Sequence, residues 1–109
     1  MGTDPKEIVI VMVTAPNQEL AARISDQAVR SRQAACATIV PMVNSIYWWE
    51  GRLVSDQEVM ILLKTTADNY EGLQETIQKI HSYKVPEIIA IPVAKGLPQY
   101  LEWVQTATS

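Results

Sequence analysis

The first apolar run of the chain predicts a buried strand. Every residue from Ile8 to Val13 is apolar, and most of them are β-branched. A strand with one solvated face would alternate apolar and polar side chains, so an unbroken run is typical of a strand buried on both faces. We therefore predict a central strand over 6–14.

A helix is predicted directly after this strand, over 17–32. Apolar side chains recur there every three or four positions, and polar side chains occupy the opposite face. Asn17 precedes the repeat and is a candidate N-cap, because its side chain can accept a hydrogen bond from the first backbone amides of a helix. The apolar positions of the repeat are Leu20, Ile24 and Ala28.

Two long segments, 35–49 and 52–66, predict antiparallel strands joined by a short turn at Glu50–Gly51. Pro41 interrupts the first segment, so we predict a bulge or an edge position there, because proline has no backbone N–H to donate. Ser55–Asp56 predicts an irregularity in the second segment.

The rest of the pattern completes a known arrangement. It predicts a helix over 67–81 with Asp68 as its N-cap, a strand over 84–93, and a short terminal helix from Pro98. The resulting order, βαββαβ, is that of a ferredoxin-like α+β sandwich with both main helices on one face of an antiparallel sheet. We expect one domain over 1–109, with residues 1–6 flexible.

The predicted hairpin is longer than the domain that carries it. A strand of about 15 residues spans roughly 50 Å, whereas a domain of this size is about 34 Å across. Its tip carries Tyr47, Trp48 and Trp49. The hairpin could bend at Pro41 and Ser55 and fold back, or it could dock on another subunit. We favour docking, because an isolated two-stranded arm is only marginally stable in water.

Composition and charge exclude several classes of protein. Hydrophobic residues make up 48% of the 109 residues and charged residues 19%, which excludes a disordered chain. The net charge is -3, whereas a protein that binds nucleic acid usually carries an excess of positive charge, so we expect no nucleic-acid partner. The single Cys, the lack of an export signal and the lack of a membrane-length apolar run lead us to expect a cytoplasmic protein with no membrane partner.

Few residues are candidates for chemistry, and the common phosphate-binding, metal-binding and hydrolase motifs are absent from the sequence. Cys36 lies among alanines and is expected to be a small buried side chain rather than a nucleophile. His81 ends the second predicted helix, where a structural role and a metal-ligand role with Tyr83 or Glu87 are both open. Lys64 ends an apolar run and could reach solvent or pair with Glu87.

Short motifs recur in order along nearly the whole chain, from Ile8 to Val104. They are Thr14-Ala15-Pro16, Ala34-Ala35-Cys36, Ser45-Ile46-Tyr47 with Trp49 and Gly51, Ile61-Leu62-Leu63-Lys64-Thr65, His81 with Tyr83, Pro86-Glu87-Ile88-Ile89-Ala90-Ile91-Pro92, Gly96, and Tyr100-Leu101 with Trp103. Together they resemble the CutA family of divalent-cation tolerance proteins.

The resemblance implies a fold, an assembly and a role. It implies a ferredoxin-like homotrimer in the cytoplasm that acts in divalent metal tolerance without catalysis, in a family with copper binding. It also implies a likeness to the PII signalling proteins, so a small-ligand sensor or regulatory scaffold is the alternative function. A small enzyme using Lys64 and Glu87 is the least favoured interpretation, because nothing in the sequence indicates the lowered pKa that a lysine base needs.

The resemblance also carries over site residues. The implied lining of a cleft between subunits is Tyr47, Trp49, Lys64, Tyr83, Glu87 and Trp103, and the implied metal donors are His81, Glu87 and Cys36. The family's usual His-Pro-Tyr-Glu run reads His81-Ser82-Tyr83-Lys84 here, so Lys84 removes one acidic donor. We therefore expect no obligatory cofactor and at most weak copper or zinc binding.

Overall fold

The computed structural model describes residues 4–109, and its elements follow the predicted order. The expectation of a flexible segment over 1–6 falls partly on residues 1–3, which lie outside the described residues. The elements are β1 (Ile8–Ala15), α1 (Gln18–Arg30), β2 (Cys36–Trp49), β3 (Arg52–Thr66), a 3-10 turn (Ala67–Asn69), α2 (Tyr70–Ile80), β4 (Ile88–Pro92) and α3 (Pro98–Ala107).

The four strands form one antiparallel sheet in the order β2-β3-β1-β4. β1 lies between β3 and β4, and Val13 is opposite both Ile61 and Ile88. This is the ferredoxin-like α+β arrangement that the order of the elements predicted.

The core lies between the sheet and the pair α1 and α2. Alternate side chains of β1 point into it, and Val11 and Val13 are fully buried. The apolar repeat of α1 is buried as predicted, with Ile24 at its centre. The predicted N-cap is confirmed, because Leu20 N–H donates to Asn17 Oδ1 at 2.8 Å.

Two predicted element starts are wrong for local reasons. Asp68 does not cap the second helix, because residues 67–69 first form a 3-10 turn and α2 begins at Tyr70. The Asp68 carboxylate instead accepts hydrogen bonds from Thr66 Oγ1 and Lys6 Nζ. β4 begins at Ile88 rather than at 84, since the preceding segment contains Pro86, which cannot donate to a strand ladder.

Within one chain the second face of the sheet is only partly covered, so the prediction that β1 is buried on both faces holds for its ends but not for Ile10 and Met12. α3 packs against β1 and β3 at one end of the sheet, with Val104 fully buried. Beyond α3, the face exposes Ile89 at 48% and Ile91 at 42%. Their neighbours across β1 are also apolar and only half buried, namely Ile10, Met12 and Leu62.

The hairpin of β2 and β3 has one bulge and a tight tip. The pairing register shifts between Val40 and Val43, which confirms the bulge predicted at Pro41, and Met42 has a φ of 60° there. At the tip, Glu50 and Gly51 both have positive φ, as a two-residue type I′ turn requires.

The irregularity predicted at Ser55–Asp56 is wrong. Ser55 pairs with Ile46, and the ladder continues without a shift to Trp49 and Arg52 at the tip. The hairpin therefore does not bend back at Ser55, and the molecule measures 43 × 30 × 24 Å rather than forming an even globule. Trp48 remains 72% exposed on this arm.

Candidate functional site

A pocket of about 680 Å³ lies where the hairpin arm meets the segment after α2. Four parts of the chain form it: the end of β1, the arm of β2, the middle of β3 and the residues that lead into β4. The side chains that line it are Thr14, Ser45, Ile46, Tyr47, Trp49, Glu58, Ser82, Tyr83, Lys84, Val85 and Glu87.

Glu58 is the most buried ionisable side chain of the pocket, with only 5% of its surface exposed. It lies opposite Val43, at the first pair beyond the bulge of β2. Tyr83 Oη donates a hydrogen bond of 2.8 Å to Glu58 Oε2. A carboxylate withdrawn from water needs such a charge-assisted bond, because its desolvation is otherwise costly.

The pocket favours the protonated form of Tyr83. Burial raises the pKa of the Tyr83 phenol well above its usual value, and the hydrogen bond to Glu58 and the charge of that carboxylate raise it further. Tyr83 is therefore a hydrogen-bond donor at physiological pH.

A second tyrosine makes the same bond in a solvent-exposed setting. Tyr47 Oη donates to Asp56 Oδ2, also at 2.8 Å, and the side chains of both residues are exposed. The hydrogen bond to Asp56 raises the pKa of Tyr47, with smaller contributions from burial and from the charge of Asp56. The two bonds differ in burial rather than in length, so they form a matched pair.

His81 fixes the backbone that presents Tyr83. The Tyr83 N–H donates to His81 Nδ1 at 3.0 Å, and His81 Nε2 lies 2.8 Å from the carbonyl oxygen of Thr14. An amide can only donate and a carbonyl can only accept, so the imidazole is neutral with its proton on Nε2. Both ring nitrogens are thus in use, and metal coordination by His81 would break one of these bonds.

Four of the six predicted cleft residues lie at this pocket. Tyr47, Trp49, Tyr83 and Glu87 all line it. The resemblance identified them because each stands in a recognisable motif.

The other two predicted cleft residues, Lys64 and Trp103, lie at the opposite end of the sheet. Lys64 Nζ donates to Thr38 Oγ1 at 2.6 Å and lies 3.8 Å from Cys36 Sγ. Trp103 packs beside Tyr100 on α3, with ring centroids 5.6 Å apart. The side chains of Lys64 and Glu87 form no ion pair within residues 4–109, so a shared pocket would need two subunits.

The predicted metal donors are also divided between the two ends. Cys36 is opposite Lys64, which pairs with Ile10, whereas His81 binds Thr14, four residues further along β1. At about 3.3 Å per residue, the two ends are roughly 13 Å apart. Within residues 4–109, no three side chains of His, Cys, Asp or Glu gather closely enough to hold a metal ion.

Glu58 is the site residue that the sequence analysis missed. Glu58 stands directly before the apolar run Val59–Leu63, much as Glu87 stands before Ile88. Its burial depends on the bulge and on Tyr83, which lies 25 residues away in the sequence, so periodicity alone could not reveal it.

A second depression of about 800 Å³ lies between α1 and α2. Its lining includes the exposed residues Glu19, Arg23 and Lys79 and none of the predicted site residues. We therefore place the candidate site at the Tyr83 pocket. In the part of the chain that the structure describes, no helix is long and apolar enough to cross a bilayer.

Comparisons with known proteins support one family. A family model described as CutA1 divalent ion tolerance protein matches residues 9–107. The divalent-cation tolerance protein CutA of Thermus thermophilus is 43% identical over 99 residues, which are 91% of this chain and 96% of that protein. Protein CutA of Mus musculus is 38% identical over 107 residues, but this chain spans only 60% of its length.

Solved structures agree with the fold. The structure of the periplasmic divalent cation tolerance protein CutA from Archaeoglobus fulgidus matches with a TM-score of 0.90 at 31% identity, covering 94% of this chain and 99% of that one.

Proposed function

Because the chain belongs to the CutA1 family of divalent ion tolerance proteins, we propose that it acts in divalent-cation tolerance as a non-catalytic homotrimer. The observation that carries this proposal is the family match over residues 9–107. In this proposal the chain has no obligatory cofactor and binds copper or zinc only weakly.

The uncovered parts of the molecule support the assembly. Ile89 and Ile91 expose apolar surface on the sheet, and Trp48 and Leu53 do so on the arm. A monomer rarely leaves so much apolar surface in water, and a closed ring of subunits would cover both regions.

The donor geometry supports weak metal binding. A firm copper or zinc site takes three or four protein donors, and a single described chain gathers fewer. The proposed donors are His81 and Glu87, with Cys36 supplied by a neighbouring subunit. Binding at His81 would break its bond to either Tyr83 N–H or the Thr14 carbonyl, and this cost lowers the affinity.

Calorimetric titration with copper(II) and zinc(II) tests the metal proposal. We expect dissociation constants in the micromolar range or weaker, with a further loss in His81→Gln. Glu75→Gln is the control, because Glu75 forms an exposed pair with Lys79 on α2, away from the pocket. Nanomolar binding that survives His81→Gln would contradict the proposed site.

Growth measurements test the tolerance role itself. A host that lacks its own member of the family should grow better at raised copper when it expresses this chain. Unchanged growth, with the protein present and folded, would contradict a role in copper tolerance.

The proposed location is the cytoplasm. A free Cys36 thiol suits a reducing compartment. Fractionation of native cells tests this proposal, since the archaeal relative is described as periplasmic. Recovery of the chain outside the cytoplasm would contradict it.

A second candidate function is a PII-like sensor of a small ligand. The pocket of about 680 Å³ favours it, because its volume falls in the range of small-molecule sites, about 300–1,000 Å³. A bare metal ion would leave most of this space unfilled.

A further inference from the structure

The residues around the pocket indicate the charge of its ligand. We propose that the pocket binds a small organic cation, an ammonium group attached to a flat apolar group. This inference rests on the sensor function proposed above and names the class of ligand. Glu58, the charges around the pocket and its aromatic lining all favour such a ligand.

The two carboxylate oxygens of Glu58 differ in their hydrogen-bond partners. Oε2 accepts from Tyr83, whereas Oε1 receives no hydrogen bond from any residue in 4–109. Within that range, Ser25 Oγ is the one fully buried side-chain nitrogen or oxygen without a partner. Glu58 Oε1 also lacks a partner but is not among the fully buried atoms, so it keeps some exposed surface. We infer that this surface faces the pocket that Glu58 lines.

The side chains around the pocket carry an excess of negative charge. Glu58 and Glu87 line the pocket, and Asp56 lies beside it, where it accepts the hydrogen bond of Tyr47. Lys84 is the one basic residue in the lining, and its side chain is exposed. The excess negative charge repels an anion and attracts a cation, which can donate a charge-assisted hydrogen bond to Glu58.

Aromatic side chains form part of the pocket wall. Tyr47, Trp49 and Tyr83 line the same pocket, and Ile46 and Val85 add apolar surface. The face of an aromatic ring attracts a cation, tryptophan most strongly, and the interaction strengthens where water is excluded. The combination of a free carboxylate oxygen with aromatic rings suits an organic ammonium better than a hydrated metal ion, which wants several oxygen donors.

Three probes of similar shape separate charge from shape. Phenethylamine is a cation at neutral pH, phenethyl alcohol is neutral and phenylacetate is an anion. Calorimetric titration should show that phenethylamine binds at least about tenfold more tightly than phenethyl alcohol, a difference of about 1.4 kcal/mol. Phenylacetate should bind more weakly than either.

Two variants locate the effect. Glu58→Gln keeps the size of the side chain and should reduce the affinity for phenethylamine at least about tenfold, with little change for phenethyl alcohol. Lys84→Gln alters an exposed residue, so it should fold, and it should strengthen phenethylamine binding. Glu75→Gln on α2 is the control and should change neither.

The outcomes distinguish this inference from the sensor function on which it rests. Equal binding of the amine and the alcohol, or a preference for phenylacetate, would overturn the ammonium assignment and leave a small-ligand pocket. Lys84→Gln that weakens or does not change amine binding would also overturn it. Failure of all three probes to bind at millimolar concentration would overturn both proposals.

Discussion

The two tyrosine–carboxylate bonds allow a test of how burial sets the strength of a hydrogen bond. Tyr83→Phe removes the phenol that donates to Glu58, and Tyr47→Phe removes the one that donates to Asp56. Both bonds are 2.8 Å long and both acceptors are carboxylates. Glu58 is buried whereas Asp56 is exposed, so the two substitutions remove the same type of hydrogen bond from a buried and from an exposed position.

The expected costs follow from that difference. A hydrogen bond to a charged group contributes about 1.5–3 kcal/mol, and most of the loss comes from the partner left without a bond. The pocket is open on one side, so water can partly replace the phenol. We therefore expect Tyr83→Phe to lower the free energy of unfolding by about 1.5–2 kcal/mol. Tyr47→Phe should cost much less, because water can replace the phenol at this exposed position.

Equilibrium unfolding in guanidinium measures both values. The protein concentration must be the same for all variants, because the stability of an assembled protein depends on it. The double variant Tyr83→Phe/Glu58→Gln isolates the coupling between the two side chains. Equal costs for Tyr83→Phe and Tyr47→Phe would refute the argument that burial strengthens the Glu58 bond.

Three further predictions concern pH, the core and the arm. The raised pKa of Tyr83 means that the folded chain keeps the phenol proton where the unfolded chain releases it. The free energy of unfolding should therefore be retained below about pH 10 and fall above it. Denaturant melts at a series of pH values should show that it falls less steeply with pH in Tyr83→Phe. Ser25→Ala should raise the free energy of unfolding by about 0.5–1 kcal/mol, because its hydroxyl is buried without a partner; a loss of stability would contradict this. Trp49→Ala should weaken the trimer more than Trp48→Ala, because Trp49 belongs to a motif that the chain shares with the family and Trp48 does not; equal effects on subunit dissociation would show that neither ring anchors the arm.

Features set by local interactions were predictable from the sequence. The Asn17 cap needs only a bond to Leu20, three residues away. The turn at Glu50–Gly51 and the bulge at Pro41 likewise follow from the conformations that Gly and Pro allow.

Features set by distant contacts were not predictable in this way. Asp68 is held by Lys6, and its N–H donates to the Pro5 carbonyl, so the 3-10 turn before α2 depends on a segment about 60 residues away. Ser55 looked like a break because it is polar, but a strand in an exposed arm accommodates polar residues without loss of register.

The candidate site shows the same division. Tyr83 and Glu87 were found through the family resemblance, because each stands in a motif of adjacent residues. Glu58 carries no such motif, and its role depends on a pairing register and on a partner from another part of the chain. The sequence allows Lys64 to pair with Glu87, yet within one chain the two residues lie at different ends of the sheet.

The mass of the native protein in solution tests the proposed assembly most directly. The apolar sheet face around Ile89 and Ile91 and the exposed arm with Trp48 are proposed to be covered by neighbouring subunits. Sedimentation equilibrium of the full chain at micromolar concentration should give three times the chain mass of 12.2 kDa. A mass of 12.2 kDa at that concentration would contradict the trimer and would leave the arm and the sheet face without their proposed partner.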